Sequence, residues 1–244
     1  MPRKQDFMDF GLDTIFNEDC LVGMKRIPDK SVDLVVTDPP YLLGTTGGGM
    51  YKQSDKRYVK ELQEANIVDG FSTNILDEMC RVMKAINICI FCSQKQIIPL
   101  LEYFVNEKYC NYNILSWHKS NPIPACGNKY ITDTEFVLFF REKGVKIHGT
   151  TETKKTYWIT PLNISDKHKY GHPTCKPENI VDCLIQNHSK EGDLVLDPFM
   201  GSATTAVCAI RKNRHFIGFE LNKEYYDKAC ERIRNEQAQL KLQL

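Results

Sequence analysis

Residues 32–41 read Val-Asp-Leu-Val-Val-Thr-Asp-Pro-Pro-Tyr, an apolar segment that runs directly into two prolines. The apolar side chains at 34–36 predict a buried strand, and the prolines cannot continue its hydrogen-bonded ladder. The strand must therefore stop where Asp38 and Tyr41 are presented. Ligands bind at the carboxyl ends of the strands in an open α/β sheet, so this turn is a candidate site.

The chemistry of this D-P-P-Y turn suits a planar ring that carries an exocyclic amine. The Asp38 carboxylate and the Pro39 carbonyl can accept both N–H bonds, and Tyr41 offers a flat face for stacking. Two such acceptors favour a pyramidal, nucleophilic nitrogen that could attack a methyl group bound nearby, helped by positioning and preorganised charge. The alternative is an Asp-Pro turn that only ends a strand, with no catalytic role.

A second constellation lies at 193–205, Asp-Leu-Val-Leu-Asp-Pro-Phe-Met-Gly-Ser-Ala-Thr-Thr, and predicts a strand, a tight turn and a helix start. Backbone N–H groups at the helix start can hold a carboxylate, and Asp197 can hold an ammonium group. Glu220 ends the next strand roughly 20 residues after the glycine, where dinucleotide folds bind ribose hydroxyls. An amino acid joined to a nucleoside describes S-adenosylmethionine better than NAD, and no G-x-G-x-x-G loop is present.

These elements together resemble the S-adenosylmethionine-dependent DNA amino-methyltransferases, which methylate adenine N6 or cytosine N4. The order is similar to the permuted beta arrangement, in which D-P-P-Y precedes D-P-F-x-G-S-G-T. Further matching stretches are Phe-Asn-Glu-Asp-Cys-Leu at 16–21, the segments 117–122 and 135–141, and His-Pro-Thr-Cys-Lys-Pro at 172–177. Ala203 departs from the pattern by replacing the second glycine. Alanine is strained there if the position needs positive φ and tolerable if it needs only close packing.

The resemblance implies a set of site residues and a reaction. The catalytic residues would be Asp38, Pro39, Pro40 and Tyr41. The cofactor residues would be Asp19, Cys20, Asp38, Thr174, Lys176, Asp197, Pro198, Phe199, Gly201, Ser202, Thr204, Glu220 and Leu221. Asp at position 38 favours adenine N6, because cytosine-N4 members more often carry serine there. The alternatives are a cytosine-N4 enzyme, a methyltransferase for RNA or a protein amide, and a non-catalytic DNA-binding homologue.

The expected fold is α/β, a Rossmann-like, doubly wound and mostly parallel seven-stranded sheet with helices on both faces, circularly permuted within one domain, 1–244. The strands fall near 14–17, 33–37, 87–92, 112–117, 135–140, 194–197 and 215–219. The helices fall near 19–26, 72–84, 95–107, 178–188, 202–212 and 223–240. Permutation would bring the two chain ends together, and the Asp38 and Gly201 turns should lie side by side.

Composition is consistent with a single domain inside the cell. The 244 residues are 42% hydrophobic and show no signal peptide or long apolar run, so we expect a cytoplasmic protein of a bacterium or its phage. Ten cysteines raise the question of a metal. The C-x-x-C pair Cys89 and Cys92 lies in a predicted strand, where residues three apart face opposite sides. We therefore expect reduced thiols and no metal.

Net charge is only +1, so DNA contacts must come from local clusters of basic residues. Residues 141–171 carry a basic excess with little periodicity and are the expected target-recognition insert, whose alternative is a solvated loop. Residues 42–68 are the expected mobile active-site loop. The candidate DNA contacts are Lys52, Arg57, Lys119, Lys143, Lys154 and Lys155. The expected partner is double-stranded DNA, with a homodimer and a cognate restriction endonuclease as further candidates and no membrane.

Overall fold

The computed structural model describes residues 11–40, 72–124, 128, 130–170 and 175–241. The strands are β1 (Thr14–Phe16), β2 (Leu34–Thr37), β3 (Asn87–Cys92), β4 (Asn111–Lys119), β5 (Thr134–Arg141), β6 (Tyr157–Thr160), β7 (Leu194–Asp197) and β8 (His215–Phe219). The helices are α1 (Cys20–Met24), α2 (Thr73–Val82), α3 (Gln94–Leu101), α4 (Ile164–Tyr170), α5 (Glu178–His188), α6 (Thr204–Arg211) and α7 (Lys223–Lys241). A π-helical turn, Glu102–Glu107, continues α3.

All eight described strands form one sheet in the order β1-β8-β7-β2-β3-β5-β4-β6. Every neighbouring pair is parallel except β3–β5 and β5–β4, because β5 alone runs in the opposite direction. The predicted mostly parallel α/β sheet is therefore confirmed. The predicted number of seven strands is wrong, since β6 adds an eighth.

Helices cover both faces of the sheet, as predicted for a doubly wound fold. On one face, Met24 of α1, Met79 of α2 and Leu100 of α3 join the buried cluster. On the other face, Leu184 of α5 and Ala206 of α6 pack into a second cluster. Both faces of the central strands are apolar, because each face has a helical layer to bury against. All side chains of β2 and β3 are accordingly buried.

The eighth strand lies in the segment for which the sequence showed little periodicity. Tyr157–Thr160 pairs in parallel with the end of β4, and α4 follows. Exposed Tyr157 and Ile159 alternate with half-buried Trp158 and Thr160, but the exposed side chains are also apolar, so the sequence does not show the alternation. The role of residues 141–171 in target recognition stays a prediction. The expected mobile loop, 42–68, lies outside the described residues.

The strand nearest the start of the chain pairs with the strand nearest its end. Thr14 lies beside Ile217 in a parallel pair, and Asp13 Oδ2 is 2.9 Å from Nδ1 of His215. This pairing is what the permuted order predicts, because β1 takes the place of a strand that would otherwise follow α7.

Cys89 and Cys92 point to opposite faces of β3, as predicted. Cys89 packs in the cluster with Leu184, and Cys92 packs in the cluster with Met24. Burial raises the pKa of the Cys92 thiol to about 12. Within the described ranges, no group of metal-ligating side chains and no helix long and apolar enough to cross a membrane is found.

The contact between α1 and β8 has no room for another methyl group. A Cβ built on Gly23 would lie 2.1 Å from the ring of Phe219. Since the ring is buried in the core, Gly23→Ala should lower the free energy of unfolding by about 1–3 kcal/mol. Val22→Ala in the same helix is the control, because Val22 is 56% exposed. Urea denaturation of both variants checks this, and equal losses would contradict it.

Candidate active site at the carboxyl edge of the sheet

The acid turn and the glycine turn leave neighbouring strands of the sheet. β2 and β7 pair in parallel through Leu34 with Val195, so both strands end at the same edge. The hydroxyl of Thr37, the last residue of β2, donates a 2.8 Å hydrogen bond to Oδ1 of Asp197, the last residue of β7. The predicted convergence of the two turns is therefore confirmed.

Asp197 is a buried carboxylate that ties three elements together. Besides the bond from Thr37, it accepts hydrogen bonds from the Thr205 hydroxyl in α6 at 2.7 Å and from the Phe199 N–H in the turn at 3.1 Å. Burial raises the pKa of Asp197 to about 7, although these hydrogen bonds oppose the rise. The expected contact of Asp197 with a cofactor ammonium stays a prediction.

Asp38 belongs to a row of alternating charges. Lys176 Nζ lies 2.7 Å from Asp38 Oδ2 and 3.3 Å from Glu135 Oε2, and Lys119 Nζ lies 2.8 Å from Glu135 Oε1. Burial alone would raise the pKa of Glu135, but the two ammonium groups lower it to about 2. Burial alone would likewise lower the pKa of Lys176, but Asp38 and Glu135 raise it.

The acid turn is also held by its backbone. The side-chain N–H of Gln96 donates a 3.0 Å hydrogen bond to the carbonyl of Pro40. The Gln96 side-chain oxygen accepts bonds from the N–H and hydroxyl of Ser93, and the bond from the N–H belongs to the capping box of α3. The first turn of α3 therefore fixes where the chain leaves β2.

The glycine turn is fixed by the end of β8. The N–H of Gly201 donates to Glu220 Oε2 at 2.9 Å, and the N–H of Asn222 donates to Oε1 at 2.8 Å. Asn17, just after β1, donates to the carbonyls of Glu220 and Leu221 at 2.9 and 3.1 Å. Burial raises the pKa of Glu220. The ends of β1, β7 and β8 thus form one bonded edge with Glu220 at its centre.

The remaining described cofactor candidates lie along this edge. Asp19 caps α1 by accepting from the N–H groups of Leu21 and Val22, and Cys20 behind it is buried. Pro198 is buried and Phe199 packs against the apolar cluster of α1 to α3.

The hydroxyls at the start of α6 are also held from outside the turn. Ser202 and Thr204 are buried, and their hydroxyl oxygens lie 3.2 Å apart. Arg232 of α7 donates to the Ser202 carbonyl at 2.7 Å and to the Thr204 hydroxyl at 3.1 Å. The long C-terminal helix therefore helps to shape the helix start that follows the glycine turn.

Comparison with known proteins identifies a matching family and similar relatives. The family model described as DNA methylase, for the N6/N4 methyltransferases, matches residues 32–231. The Type II methyltransferase M.HinfI of Haemophilus influenzae is 30% identical over 95% of this chain and 70% of its own length. The Type II methyltransferase M2.DpnII of Streptococcus pneumoniae is 29% identical over 91% of this chain and 90% of its own length.

Two solved structures share the fold. The M1.HpyAVI–SAM complex is 27% identical with a TM-score of 0.68, covering 90% of this chain and 98% of its own. The cytosine-N4-specific PvuII DNA methyltransferase has the same TM-score at 17% identity, covering 91% of this chain and 90% of its own.

This chain belongs to the N6/N4 DNA methylase family. It is therefore a DNA amino-methyltransferase, as the sequence motifs predicted.

The DNA-contact candidates of this methylase lie in different settings. Lys143 and Lys154 are exposed, and Lys155 is exposed beside Glu152. Lys119 is only 10% exposed at its side chain and pairs with Glu135, so little of its ammonium group faces solvent, and its contact with DNA stays a prediction. The other candidates, Lys52 and Arg57, lie outside the described residues, as do Tyr41 and Thr174.

Glu135 and Gln96 were not among the site residues expected from the sequence. Glu135 stands in an apolar strand, Thr-Glu-Phe-Val-Leu-Phe-Phe-Arg, where an acid needs a partner. The spacing Ser93-x-x-Gln96 is that of a capping box. Each signal was visible in the sequence, but neither one identifies the partner, which is Lys176 and Lys119 for Glu135 and the Pro40 carbonyl for Gln96.

Ala203 shows what the family's second glycine is for. It precedes α6 with φ 62° and ψ 27°, in the left-handed region, and is fully buried. The position therefore requires positive φ, which costs a residue with a Cβ about 1–2 kcal/mol.

We predict that Ala203→Gly is nearly neutral for stability while Ala209→Gly is not. Both replacements remove a buried methyl group worth about 0.8 kcal/mol and add backbone freedom, but only the first relieves a left-handed backbone. Ala209→Gly, inside α6, should cost about 2 kcal/mol. Thermal unfolding measures both, and equal destabilisation would show that Ala203 carries no strain.

Asp197→Asn should change how stability depends on pH. The pKa of Asp197 is raised in the folded state, so its favourable contribution is present below pH 4 and is lost as pH rises through about 7. Asparagine does not titrate, so the variant should gain stability relative to wild type between pH 5 and pH 8. Urea unfolding at both pH values checks this. A difference that is the same at both would contradict the raised pKa.

Proposed function

We propose that this protein transfers a methyl group from S-adenosylmethionine to the exocyclic N6 amine of an adenine flipped out of double-stranded DNA. One observation carries the proposal: the Asp38 turn and the Gly201 turn leave paired strands and are joined through Thr37 and Asp197. Family membership makes DNA the substrate class.

The residues at the ends of β1, β7 and β8 fit an amino acid joined to a nucleoside. Asp19 and Glu220 supply carboxylates suited to amine and ribose hydroxyl groups, and Gly201 supplies a turn without a side chain. Leu221, which is 65% exposed, and the half-buried Phe199 supply apolar surface for a base. The similar M1.HpyAVI was solved as a complex with SAM. When bound, S-adenosylmethionine supplies an electrophilic methyl group on a sulfonium.

We assign further cofactor contacts to Cys20, Pro198, Ser202, Thr204 and the undescribed Thr174. The four described residues follow β1 or β7, where the turn is already held by the Gly201 N–H bond to Glu220 and by the Arg232 bond to the Ser202 carbonyl. Groups that are already held in place bind a small molecule at low cost in ordering.

At the acid turn, Asp38 would accept one N–H bond of the target amine and the Pro39 carbonyl the other. Holding both protons favours a pyramidal nitrogen with its lone pair directed away from the ring. Positive charge develops on that nitrogen as the new N–C bond forms, and the Asp38 carboxylate stabilises it and can accept the proton that is released. Tyr41 would stack on the base. Pro40 would set the backbone of the turn, where Gln96 already holds its carbonyl.

The second candidate function is methylation of cytosine N4. The cytosine-N4-specific PvuII enzyme has the same fold, so the fold does not separate the two bases. The preference for adenine rests on Asp38 itself, since serine is more usual at this position in the N4 enzymes of the family.

The target base must leave the duplex to reach the acid turn, which costs a few kcal/mol of stacking. We propose that residues 141–171 contact the target sequence, with exposed Lys143, Lys154 and Lys155 at the phosphates. Lys52 and Arg57 are proposed as further DNA contacts from the segment 42–68, which lies outside the described residues. We further propose that the protein is a bacterial, cytoplasmic enzyme of a Type II restriction-modification system. A cognate endonuclease would be its partner in that system, and the enzyme would form a homodimer.

Asp38→Ala should abolish methyl transfer to DNA and leave cofactor binding largely intact, because the acid is assigned to the amine and not to the sulfonium. Transfer of labelled methyl groups and calorimetric titration of cofactor measure the two properties. Asp227→Ala is the control, since Asp227 is exposed on α7 and pairs only with Lys223 among the described residues. Wild-type transfer by the Asp38 variant would remove the mechanism.

Digestion of the methylated DNA to nucleosides, followed by mass spectrometry, identifies the product of the wild-type enzyme. N6-methyladenine is expected. N4-methylcytosine would establish the second candidate, and no methylated nucleoside from a mixed-sequence DNA would contradict both.

A further inference from the structure

The charges around Asp38 come from four different parts of the chain. Asp38 follows β2, Lys176 precedes α5, Glu135 lies near the start of β5 and Lys119 ends β4. Their contacts, at 2.7, 3.3 and 2.8 Å, alternate acid and base along the row. The side chains are 19, 8, 20 and 10% exposed in the same order, so the row is largely shielded from water.

The positions of these four side chains are restricted, because each buried charge is stabilised by the opposite charge next to it. An ammonium group removed from water costs several kcal/mol unless it is paired. Lys176 meets this need with two carboxylates and with the face of Phe91, whose ring centre lies 5.4 Å from Nζ. Glu135 is held in turn by Lys119. If Lys176 moved away, Asp38 would lose this short contact, while Glu135 would keep its contact with Lys119.

The short contact determines the rotation of the Asp38 carboxylate. An ammonium group 2.7 Å from Oδ2 fixes the plane of the carboxylate and thereby the direction of its other oxygen. The same cation favours the ionised form, which is the form that accepts hydrogen bonds from an amine.

We propose that Lys176, braced by Glu135 and Lys119, is a positioning residue that sets the orientation and charge of Asp38 for methyl transfer. This inference rests on the proposed function, in which Asp38 holds the target amine. It replaces the expectation that Lys176 binds the cofactor directly. A Lys176 side chain 8% exposed and engaged by two acids is placed to act through Asp38.

The pH dependence of the reaction separates the two roles. Three titratable groups from other parts of the fold act on Asp38: Lys176 before α5, Asp197 at the end of β7 and the Cys92 thiol of β3. Glu135 of β5 lies on the far side of Lys176. Lys176 is the cation in direct contact with Asp38 among these groups. Removing this cation makes the ionised form of Asp38 less favourable, so Asp38 should take up a proton at higher pH than in the wild type.

The test compares wild type with Lys176→Met, Lys176→Arg and Glu135→Gln. For each, the single-turnover rate on DNA is measured at saturating S-adenosylmethionine from pH 5 to 9, together with the cofactor Kd. Lys176→Met should lower the rate at pH 7 by about 100-fold, the loss expected when a catalytic group is misplaced. Its Kd should stay within about threefold, and the acidic limb of its profile should move up by about one pH unit. Lys176→Arg should restore part of the rate.

Glu135→Gln should shift the acidic limb in the opposite direction, which a loss of folded protein would not do. It keeps the shape of the side chain but leaves Lys176 facing Asp38 alone, so the acidic limb should move to lower pH while the rate falls less than in Lys176→Met. A purely structural role would lower the amount of folded enzyme without moving either limb. If Lys176→Met fails to fold, the Lys176→Arg and Glu135→Gln profiles still decide.

The outcomes that would overturn the inference are specific. A cofactor Kd that rises in Lys176→Met while the saturated single-turnover rate and pH limb stay at the wild-type values would make Lys176 a cofactor ligand. Unmoved limbs in both Lys176→Met and Glu135→Gln would also overturn it. A wild-type enzyme that methylates no DNA would instead contradict the proposed function.

Discussion

The hydrogen bond between Thr37 and Asp197 joins the two halves of the active edge. It links the ends of neighbouring parallel strands, and the same carboxylate holds α6 through Thr205 and the glycine turn through Phe199. Because 160 residues separate the first two partners, the bond exists only once β2 and β7 are paired. The acid turn, the glycine turn and the first turn of α6 are therefore placed together.

Two acids lie at this edge in contrasting surroundings. Asp197 is surrounded by hydroxyls and a backbone N–H, and burial raises its pKa to about 7. Asp38 instead contacts the ammonium group of Lys176. Different surroundings give neighbouring carboxylates different roles, as they do in other enzymes that use two acids. Asp197 is suited to hold the structure and Asp38 to meet a substrate.

Much of this edge could be predicted from the sequence, because prolines and apolar runs act locally. The strand that stops before Asp38, the glycine turn at 201 and the parallel pairing of their strands all follow from such signals. The contact of Lys176 with Asp38 could not be predicted, because side chains far apart in the chain meet only through tertiary packing. β6 was missed because its exposed face carries the apolar side chains of Tyr157 and Ile159, which hides the alternation in the sequence. For Ala203 the sequence left open whether the position needs positive φ or only close packing, and the backbone φ of 62° shows that it is positive.

The reversed direction of β5 has a consequence for how such edges are composed. In an all-parallel sheet, only residues that follow strands reach the ligand side, and strand beginnings lie on the far side. β5 is antiparallel to β3 and β4. The first residues of β5, which include Glu135, therefore lie at the same edge as the last residues of β2 and β4. One antiparallel strand thus allows a fold to place reactive groups from both the first and the last residues of its strands at the same edge. A search for such groups should therefore include the first residues of antiparallel strands.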